Sequence, residues 1–170
     1  MTGTLFIVAT PIGNLDDITF RAFEVLKNVD FVLAEDTRHS KKLLSHLDIS
    51  KPIRAFHEHN EREKTKAIIS EIYSGKSIAL ISDAGTPLIS DPGYFLVAQA
   101  KKEGLKVVPI PGPTALITAL SASGLASDSF TFLGFLPNKK TARVKLLIGL
   151  VGRTETIIFY ESPKRVLATL

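Results

Sequence analysis

The sequence has 170 residues, of which 45% are hydrophobic and 22% charged, a composition typical of a globular protein and unlike that of a disordered chain. It contains no cysteine, which excludes disulfides, thiolate catalysis and cysteine-bound zinc, and no apolar run approaches the roughly 18 residues that cross a bilayer. The net charge is +4, and the whole basic excess lies in residues 127–170, as either a phosphate-contacting surface or an ordinary solvated face.

Six short runs rich in β-branched and aromatic residues predict strands. They lie at 4–9, 31–34, 77–81, 106–110, 131–135 and 156–160. The first follows an N-terminus without the basic flank of a secretory signal, so we expect a cytoplasmic protein without membrane association. Most runs are continuously apolar, as in strands covered on both faces. Strands that alternate with helical patterns predict an α/β fold with a mostly parallel sheet flanked by helices.

The helical patterns between these strands carry start signals. Asp16 or Asp17 can cap the helix that follows the first strand. Asn60, with a glutamate three residues later, has the spacing of a capping box. Asp91 followed by proline is a third candidate cap. A helix at about 113–121 carries mostly small and apolar side chains, which predicts that it is buried.

The organisation changes after residue 121, where small polar turn formers replace the helical pattern. We therefore predict one α/β domain at 1–124 and the beginning of a second α/β domain at 125–170. The second segment offers two strands and a helix, which are too few elements for a closed sheet, so we expect it to be cut short.

Three loops after predicted strands combine proline with glycine. They cover residues 9–14, 82–93 and 109–115. Proline stiffens a loop and glycine lets its backbone approach a ligand closely. Any one of these loops is more simply a plain connector. Because the carboxyl ends of parallel strands meet at one edge of a sheet, the three together predict a preorganised small-molecule site.

A nucleotide-like ligand with a cationic centre requires polar groups and apolar walls. The polar candidates are Ser82, Asp83, Thr86 and Thr114, and the apolar candidates are Ile12, Ile81, Ala84 and Ala115. Asp83 has the alternative role of capping its own turn, which is the commonest use of aspartate after a strand.

A cluster of ionisable residues follows the second predicted strand. Glu35, Asp36, Arg38 and His39 are candidates to orient or deprotonate a hydroxyl group. The structural alternative is that Asp36 caps the next helix and pairs with Arg38.

Other motifs fail on inspection. Residues 75–77 (GKS) imitate the end of a P-loop, but position 70 is serine where glycine is required, and the motif precedes a strand. No G-x-G-x-x-G follows the first strand, and no G-x-S-x-G is present. Residues 57–59 (HEH) match no zinc motif, and a polar loop explains them better.

Seven segments, in order along the chain, carry a family resemblance. They are 8–15 (VATPIGNL), 34–38 (AEDTR), 82–87 (SDAGTP), 89–93 (ISDPG), 111–113 (PGP), 134–137 (GFLP) and 159–163 (FYESP). Together they resemble the ribosomal RNA small-subunit methyltransferase I group of the tetrapyrrole methylase superfamily. The resemblance implies an enzyme that uses S-adenosyl-L-methionine to methylate a ribose 2′-hydroxyl of a cytidine in 16S rRNA, with the small ribosomal subunit as the partner. Members of the group are longer, so the chain is expected to lack part of the second domain.

The resemblance also implies which residues contact the cofactor. They are Pro11 in the first loop, Ile81, Ser82, Asp83 and Thr86 in the second, Thr114 and Ala115 in the third, and Phe159, Tyr160 and Glu161 in the second domain. The superfamily often has Gly-Asp-Pro in the second loop, where this chain has serine, aspartate and alanine. That departure is typical of the RNA-modifying branch.

The implied reaction is an in-line displacement in which the ribose oxygen attacks the methyl group. Glu35, Asp36 and His39 are candidates for the base and Arg38 for a phosphate contact. Two alternatives stay open, namely C-methylation of a tetrapyrrole and a non-catalytic nucleotide-binding module. The oligomeric state is also open, although apolar residues at 130–136 could support a homodimer.

Overall fold

A parallel five-stranded sheet forms the centre of the first part of the chain. Its strands are β1 (Thr4–Val8), β2 (Phe31–Ala34), β3 (Ile53–Ala55), β4 (Ile78–Ile81) and β5 (Lys106–Ile110). In the computed structural model, which describes residues 1–170, they lie in the order β3-β2-β4-β1-β5, and every neighbouring pair is parallel. All residues of β2 and β4 are buried, because helices cover both faces of a parallel sheet.

Four helices provide this cover. They are α1 (Phe20–Asn28), α2 (Thr37–His46), α3 (Glu61–Tyr73) and α4 (Tyr94–Lys102). Leu5 of β1 packs in an apolar core with residues of α3 and α4, whereas Val8 packs in a second core with residues of α1 and α2. Side chains alternate between the faces of a strand, so β1, β2, β4 and β5 contribute to both cores. The α/β fold predicted from the sequence is confirmed.

The five strands end at the same edge of the sheet because they are parallel. The loops that leave this carboxyl edge begin at Ala9, Glu35, Phe56, Ser82 and Pro111. The three loops that combine proline with glycine are among them, after β1, β4 and β5. The sheet therefore brings the predicted site loops to one edge.

The chain divides into two compact units, Met1–Thr114 and Ala115–Leu170. The second unit contains α5 (Ala115–Ser123), β6 (Phe130–Phe135), α6 (Lys140–Ile148), β7 (Thr156–Tyr160) and α7 (Val166–Thr169). β6 and β7 form a parallel pair with an irregularity between Phe132 and Phe135. The division lies ten residues before the predicted domain boundary at 124, and α5 falls in the second unit; the boundary itself stays a prediction.

Strand prediction succeeded for every strand except β3. The six predicted strands are present to within one residue at each end. β3 was not predicted because it has only three residues, none of them fully buried, and forms an outer strand. The helix at the end of the third loop was predicted as buried, but only Leu116 and Leu120 of α5 are buried.

Of the three predicted helix caps, only Asn60 stands at a cap position, and none makes the predicted side-chain cap. Thr19, and neither Asp16 nor Asp17, caps α1, since its hydroxyl accepts a hydrogen bond from the backbone N–H of Ala22. Asn60 precedes α3 but makes no side-chain cap, because its Oδ1 accepts from the backbone of His57. At α4, Asp91 lies too far upstream, and the cap position belongs to a glycine at 93.

None of the helices combines the length and apolar character that crossing a bilayer requires.

Candidate functional site

The loops after β1 and β4 are joined by hydrogen bonds. The backbone N–H of Thr10 donates to the carbonyl of Gly85 at 2.9 Å, and the N–H of Gly85 donates back to the carbonyl of Thr10 at 3.0 Å. The Thr10 hydroxyl donates to the carbonyl of Ser82 at 3.1 Å, and Thr10 is only 1% exposed. Because a buried backbone pair and a buried hydroxyl both bridge them, the two loops behave as one rigid element.

The loop after β5 joins the same element. The Thr86 hydroxyl donates to the carbonyl of Pro113 at 3.1 Å. A Cβ atom on Gly112 would lie 2.8 Å from the Cβ of Ala9, so the loops after β1 and β5 are in contact there and only glycine fits. Gly85 has a φ of +85°, a left-handed conformation that also favours glycine. The three predicted loops are thus brought together at the carboxyl edge.

A small recess lies beneath the loop after β1. Pro11, His39, Ile81, Ser82 and Asp83 line it together with Thr10, Leu15, Ser40 and Leu43. Its volume of ≈ 20 Å³ is enough for about one water molecule and far too small for a nucleoside. A nucleotide-sized ligand would therefore have to lie over the loops rather than within this recess.

The loop after β2 is attached through Asp83. The backbone N–H of Asp36 donates to Asp83 Oδ1 at 3.1 Å. Asp36 in turn caps α2, since its Oδ1 accepts from the backbone N–H of Arg38 at 2.8 Å, and the two side chains form an ion pair at 2.9 Å. Hydrogen bonds from the Arg38 side chain and backbone lower the pKa of Asp36 to about 2. The helix cap by Asp36 and its ion pair with Arg38, which were the structural alternative to a catalytic role, are both present. The catalytic roles of Asp36 and Arg38 stay predictions.

Carboxylates concentrate at this edge of the sheet. Burial, together with the negative charges of Glu35 and Asp83, raises the pKa of Asp91 to about 6. Burial likewise raises the pKa of Glu35, with added repulsion from Asp83, while His57 opposes the shift. The edge therefore disfavours further negative charge and favours a cation.

The strained part of the second loop lies between Asp83 and α4. Leu88 and Ser90 have φ values of +74° and +69°, which are uncommon for residues with a side chain. The buried carboxylate of Glu61 accepts the backbone N–H of Gly93 at 2.8 Å and fixes the end of this loop to α3. Sequence reasoning missed Glu61, because no local pattern pairs it with a glycine 32 residues away.

The remaining predicted residues lie at or beyond the end of the first unit. Thr114 is its last residue and is half-buried, while Ala115 begins α5 and is exposed. In the second unit, the Tyr160 ring packs edge-on against two phenylalanine rings. Glu161 accepts hydrogen bonds from Arg165 at 2.8 Å and from two further donors of the same unit. Cofactor contacts by these four residues stay predictions.

Asp91 provides a pH-dependent test of the carboxylate cluster. A folded-state pKa of about 6, above the ordinary aspartate value of 3.8, means that the folded chain holds more protons than the unfolded chain between about pH 4 and 6. Stability should therefore fall as the pH rises through this window. We expect Asp91→Asn to stabilise the chain by about 1 kcal/mol at pH 7, a value reduced for partial exposure, and by much less at pH 4. Urea unfolding across this range measures the difference, and a benefit that did not vary with pH would contradict the assignment.

Comparisons with known proteins find a matching family model and several relatives more than 50% identical. A family model described as Tetrapyrrole (Corrin/Porphyrin) Methylases matches residues 4–170. The ribosomal RNA small subunit methyltransferase I of Vibrio cholerae is 58% identical over 166 residues, which cover 98% of this chain and 58% of that protein. The protein of the same name from Halalkalibacterium halodurans is 54% identical over 168 residues, covering 99% of this chain and 58% of that protein. The chain thus spans less than two thirds of the length of these relatives.

Among solved structures, diphthine synthase superimposes with a TM-score of 0.72, covering 95% of this chain and 66% of that one. The sequence identity is only 16%, so this likeness shows the fold alone.

Proposed function

Because the chain belongs to the tetrapyrrole (corrin/porphyrin) methylase family, we propose that it binds S-adenosylmethionine at the carboxyl edge of the first unit's sheet. We further propose methyl transfer to a ribose 2′-hydroxyl of a cytidine in 16S rRNA within the small ribosomal subunit. The relatives at 54–58% identity carry the name of ribosomal RNA small subunit methyltransferase I, which supports an RNA acceptor.

One observation carries the cofactor proposal, namely the junction of the three loops through Thr10–Gly85 and Thr86–Pro113. The hydrogen bonds hold the loops in place before any ligand arrives, which lowers the entropy that binding would lose. Glycine at 112 lets the loops after β1 and β5 approach each other closely, since a Cβ there would lie 2.8 Å from the Cβ of Ala9. The residues proposed to hold the cofactor here are Pro11, Ile12, Ile81, Ser82, Asp83, Ala84, Thr86 and Thr114. Ala115, Tyr160 and Glu161 of the second unit are further proposed cofactor contacts.

The charge of the edge also fits this cofactor. When bound, S-adenosylmethionine supplies a methyl group activated by a positively charged sulfur. Glu35, Asp83 and Asp91 repel one another at this edge, and a nearby positive charge relieves that repulsion.

The same carboxylates differ in their suitability as a base. The pKa of Asp36 is about 2, which makes its carboxylate a poor proton acceptor at neutral pH. The pKa of Glu35 is raised by burial and by Asp83, and its side chain is exposed to an incoming substrate. We therefore propose Glu35 as the group that accepts the hydroxyl proton, with His39 at the neighbouring recess as the second candidate.

Substitution of Asp83 tests the binding site. Asp83→Ala removes a carboxylate from the cluster and the acceptor of the Asp36 N–H, so we expect roughly tenfold weaker binding of S-adenosylhomocysteine, equivalent to about 1.4 kcal/mol. Isothermal titration calorimetry on the folded chain measures this, with Asp17→Ala as the exposed control carboxylate. If the parent chain, Asp83→Ala and Asp17→Ala bound the ligand with the same affinity, the proposed site would be refuted. If the folded parent chain did not bind it at all, the proposed cofactor would be refuted.

Methylation of a tetrapyrrole is the second candidate, favoured by the description of the family model. The two acceptors are distinguished by offering assembled small subunits, bare 16S rRNA and a porphyrinogen to the same enzyme with labelled cofactor. Transfer to a porphyrinogen alone would replace the RNA proposal.

A further inference from the structure

The exposed face of α2 is basic and lacks any acidic residue. Thr37–His46 contains Arg38, Lys41 and Lys42, and no aspartate or glutamate. The buried residues of the helix are Ser40, Leu43 and Leu44, so the lysines lie on the opposite face and are exposed.

Lysine 51 extends this face across the loop that follows the helix. Lys41 and Lys51 line the same open depression of ≈ 360 Å³, together with Leu44, Ser45, Asp48, Ile49, Ser50 and Ile53. The two serine hydroxyls are hydrogen-bond donors available to an anion, and Asp48 is the one acidic group of the lining. We call Lys41, Lys42 and Lys51 the α2 basic face.

The charge of this face is not neutralised within the chain. None of the salt bridges of the structure involves Lys41, Lys42 or Lys51. Arg38 is bound by Asp36, and His46 lies 3.8 Å from Asp16, so neither belongs to the face.

Three of the seven basic residues that the sequence places at 127–170 are committed within the chain. Arg143 is buried and donates to three backbone carbonyls, and Arg153 and Arg165 pair with glutamates. Arginines held in this way are less available to an external phosphate than the free lysines of α2.

The position of the face connects it to the candidate site. α2 begins where Asp83 holds the backbone of Asp36, and His39 of its first turn lines the recess beside Pro11. From there its ten residues extend about 15 Å away from the carboxyl edge. A nucleic acid strand with one nucleotide at the site can therefore lay its adjoining phosphates along this helix.

We propose that the α2 basic face binds the phosphate backbone of the RNA that carries the methyl-accepting nucleotide. This inference rests on the proposed RNA acceptor and adds the surface that holds it. Lysines bind phosphates without reading bases, so the face contributes affinity and positioning and leaves sequence selection to other residues.

The test is RNA binding by the variant Lys41→Gln/Lys42→Gln/Lys51→Gln. We expect roughly tenfold weaker binding to 16S rRNA at moderate salt, and a decrease of about 2 in the slope of log affinity against log salt, since each lost single-strand phosphate contact contributes about 0.7. Fluorescence anisotropy across a salt series measures both quantities. The matched control is Lys101→Gln/Lys102→Gln/Lys106→Gln, which removes three exposed, unpaired lysines beside β5, the outer strand opposite β3.

The outcomes separate the two proposals. Calorimetry with S-adenosylhomocysteine should give the same affinity for the triple variant and its parent, because the three lysines lie outside the cofactor loops. RNA binding with unchanged affinity and slope in the variant, or an equal loss in the control, overturns the α2 proposal while leaving the proposed function intact. A loss of binding to anionic phospholipid vesicles without a loss for RNA also overturns it. If the parent chain bound neither RNA nor cofactor, the proposed function would be refuted instead.

Discussion

Replacing Gly112 with alanine is expected to lower the free energy of unfolding by about 2 kcal/mol and to weaken cofactor binding roughly tenfold. The added Cβ would lie 2.8 Å from the Cβ of Ala9, which is 1% exposed and has no free space to move into. Gly112 does not have a positive φ, so the effect is steric and not conformational. The loops after β1 and β5 must move apart to relieve this contact. Because Thr10 follows Ala9 directly, this movement also displaces Thr10. Urea unfolding and calorimetry measure the two effects.

A second substitution identifies the cause. Ala9→Gly removes the methyl group that the new Cβ would meet, so Gly112→Ala combined with Ala9→Gly should recover most of both losses. Ala9→Gly alone should cost about 1 kcal/mol through lost burial and added chain freedom. Additive losses in the double variant would show that the two loops do not press on each other at this point.

The architecture of the first unit was predictable because most of its strands carry a clear sequence signal. Continuous apolar runs such as Ile78–Ile81 occur where a strand is buried on both faces, and the three inner strands β1, β2 and β4 have this character or nearly so. Ile53–Ala55 does not, since an outer strand of three residues is decided by its pairing with β2 and not by its own composition. Its sequence carries too little signal to distinguish it from a loop.

The loops of the site were predictable as a group, but their contacts were not. Proline and glycine mark the loops after β1, β4 and β5, and a parallel sheet necessarily brings them to one edge. That Thr10 pairs with Gly85, 75 residues away, depends on β1 lying beside β4. Strand order is a property of the whole chain, so the residue pairs that fix the loops appear only in the structure.

The availability of the basic residues was also not predictable from the sequence alone. The sequence places the basic excess in residues 127–170, yet folding buries Arg143 among backbone carbonyls and pairs Arg165 with Glu161. The first unit is balanced in composition, but α2 collects its lysines on one exposed face. Net charge by segment therefore indicates where cations are, whereas the structure decides which of them are free.

Glu61→Ala is expected to destabilise the first unit by about 2–3 kcal/mol. Glu61 is 6% exposed, and its carboxylate accepts the backbone N–H of Gly93, so removal leaves a buried donor without a partner. The effect should extend to the site, because this bond fixes the end of a loop in which Leu88 and Ser90 have positive φ values. A loop in these conformations persists only while its surroundings hold it there. Urea unfolding measures the stability, and calorimetry with S-adenosylhomocysteine measures the site.

Two controls make the prediction specific. Glu61→Gln keeps an oxygen that can accept from Gly93, so it should lose no more than about 1 kcal/mol and retain most cofactor affinity. Glu63→Ala removes an exposed carboxylate from the same first turn of α3 and should change stability by less than about 0.5 kcal/mol. If the alanine and glutamine variants at 61 lost equal stability, the charge of Glu61 rather than its hydrogen bond would stabilise the fold. If Glu61→Ala lowered stability but left cofactor affinity unchanged, the strained loop would keep its shape without the hydrogen bond between Gly93 and Glu61. The contact of Thr86 with Pro113 would then be enough to hold it.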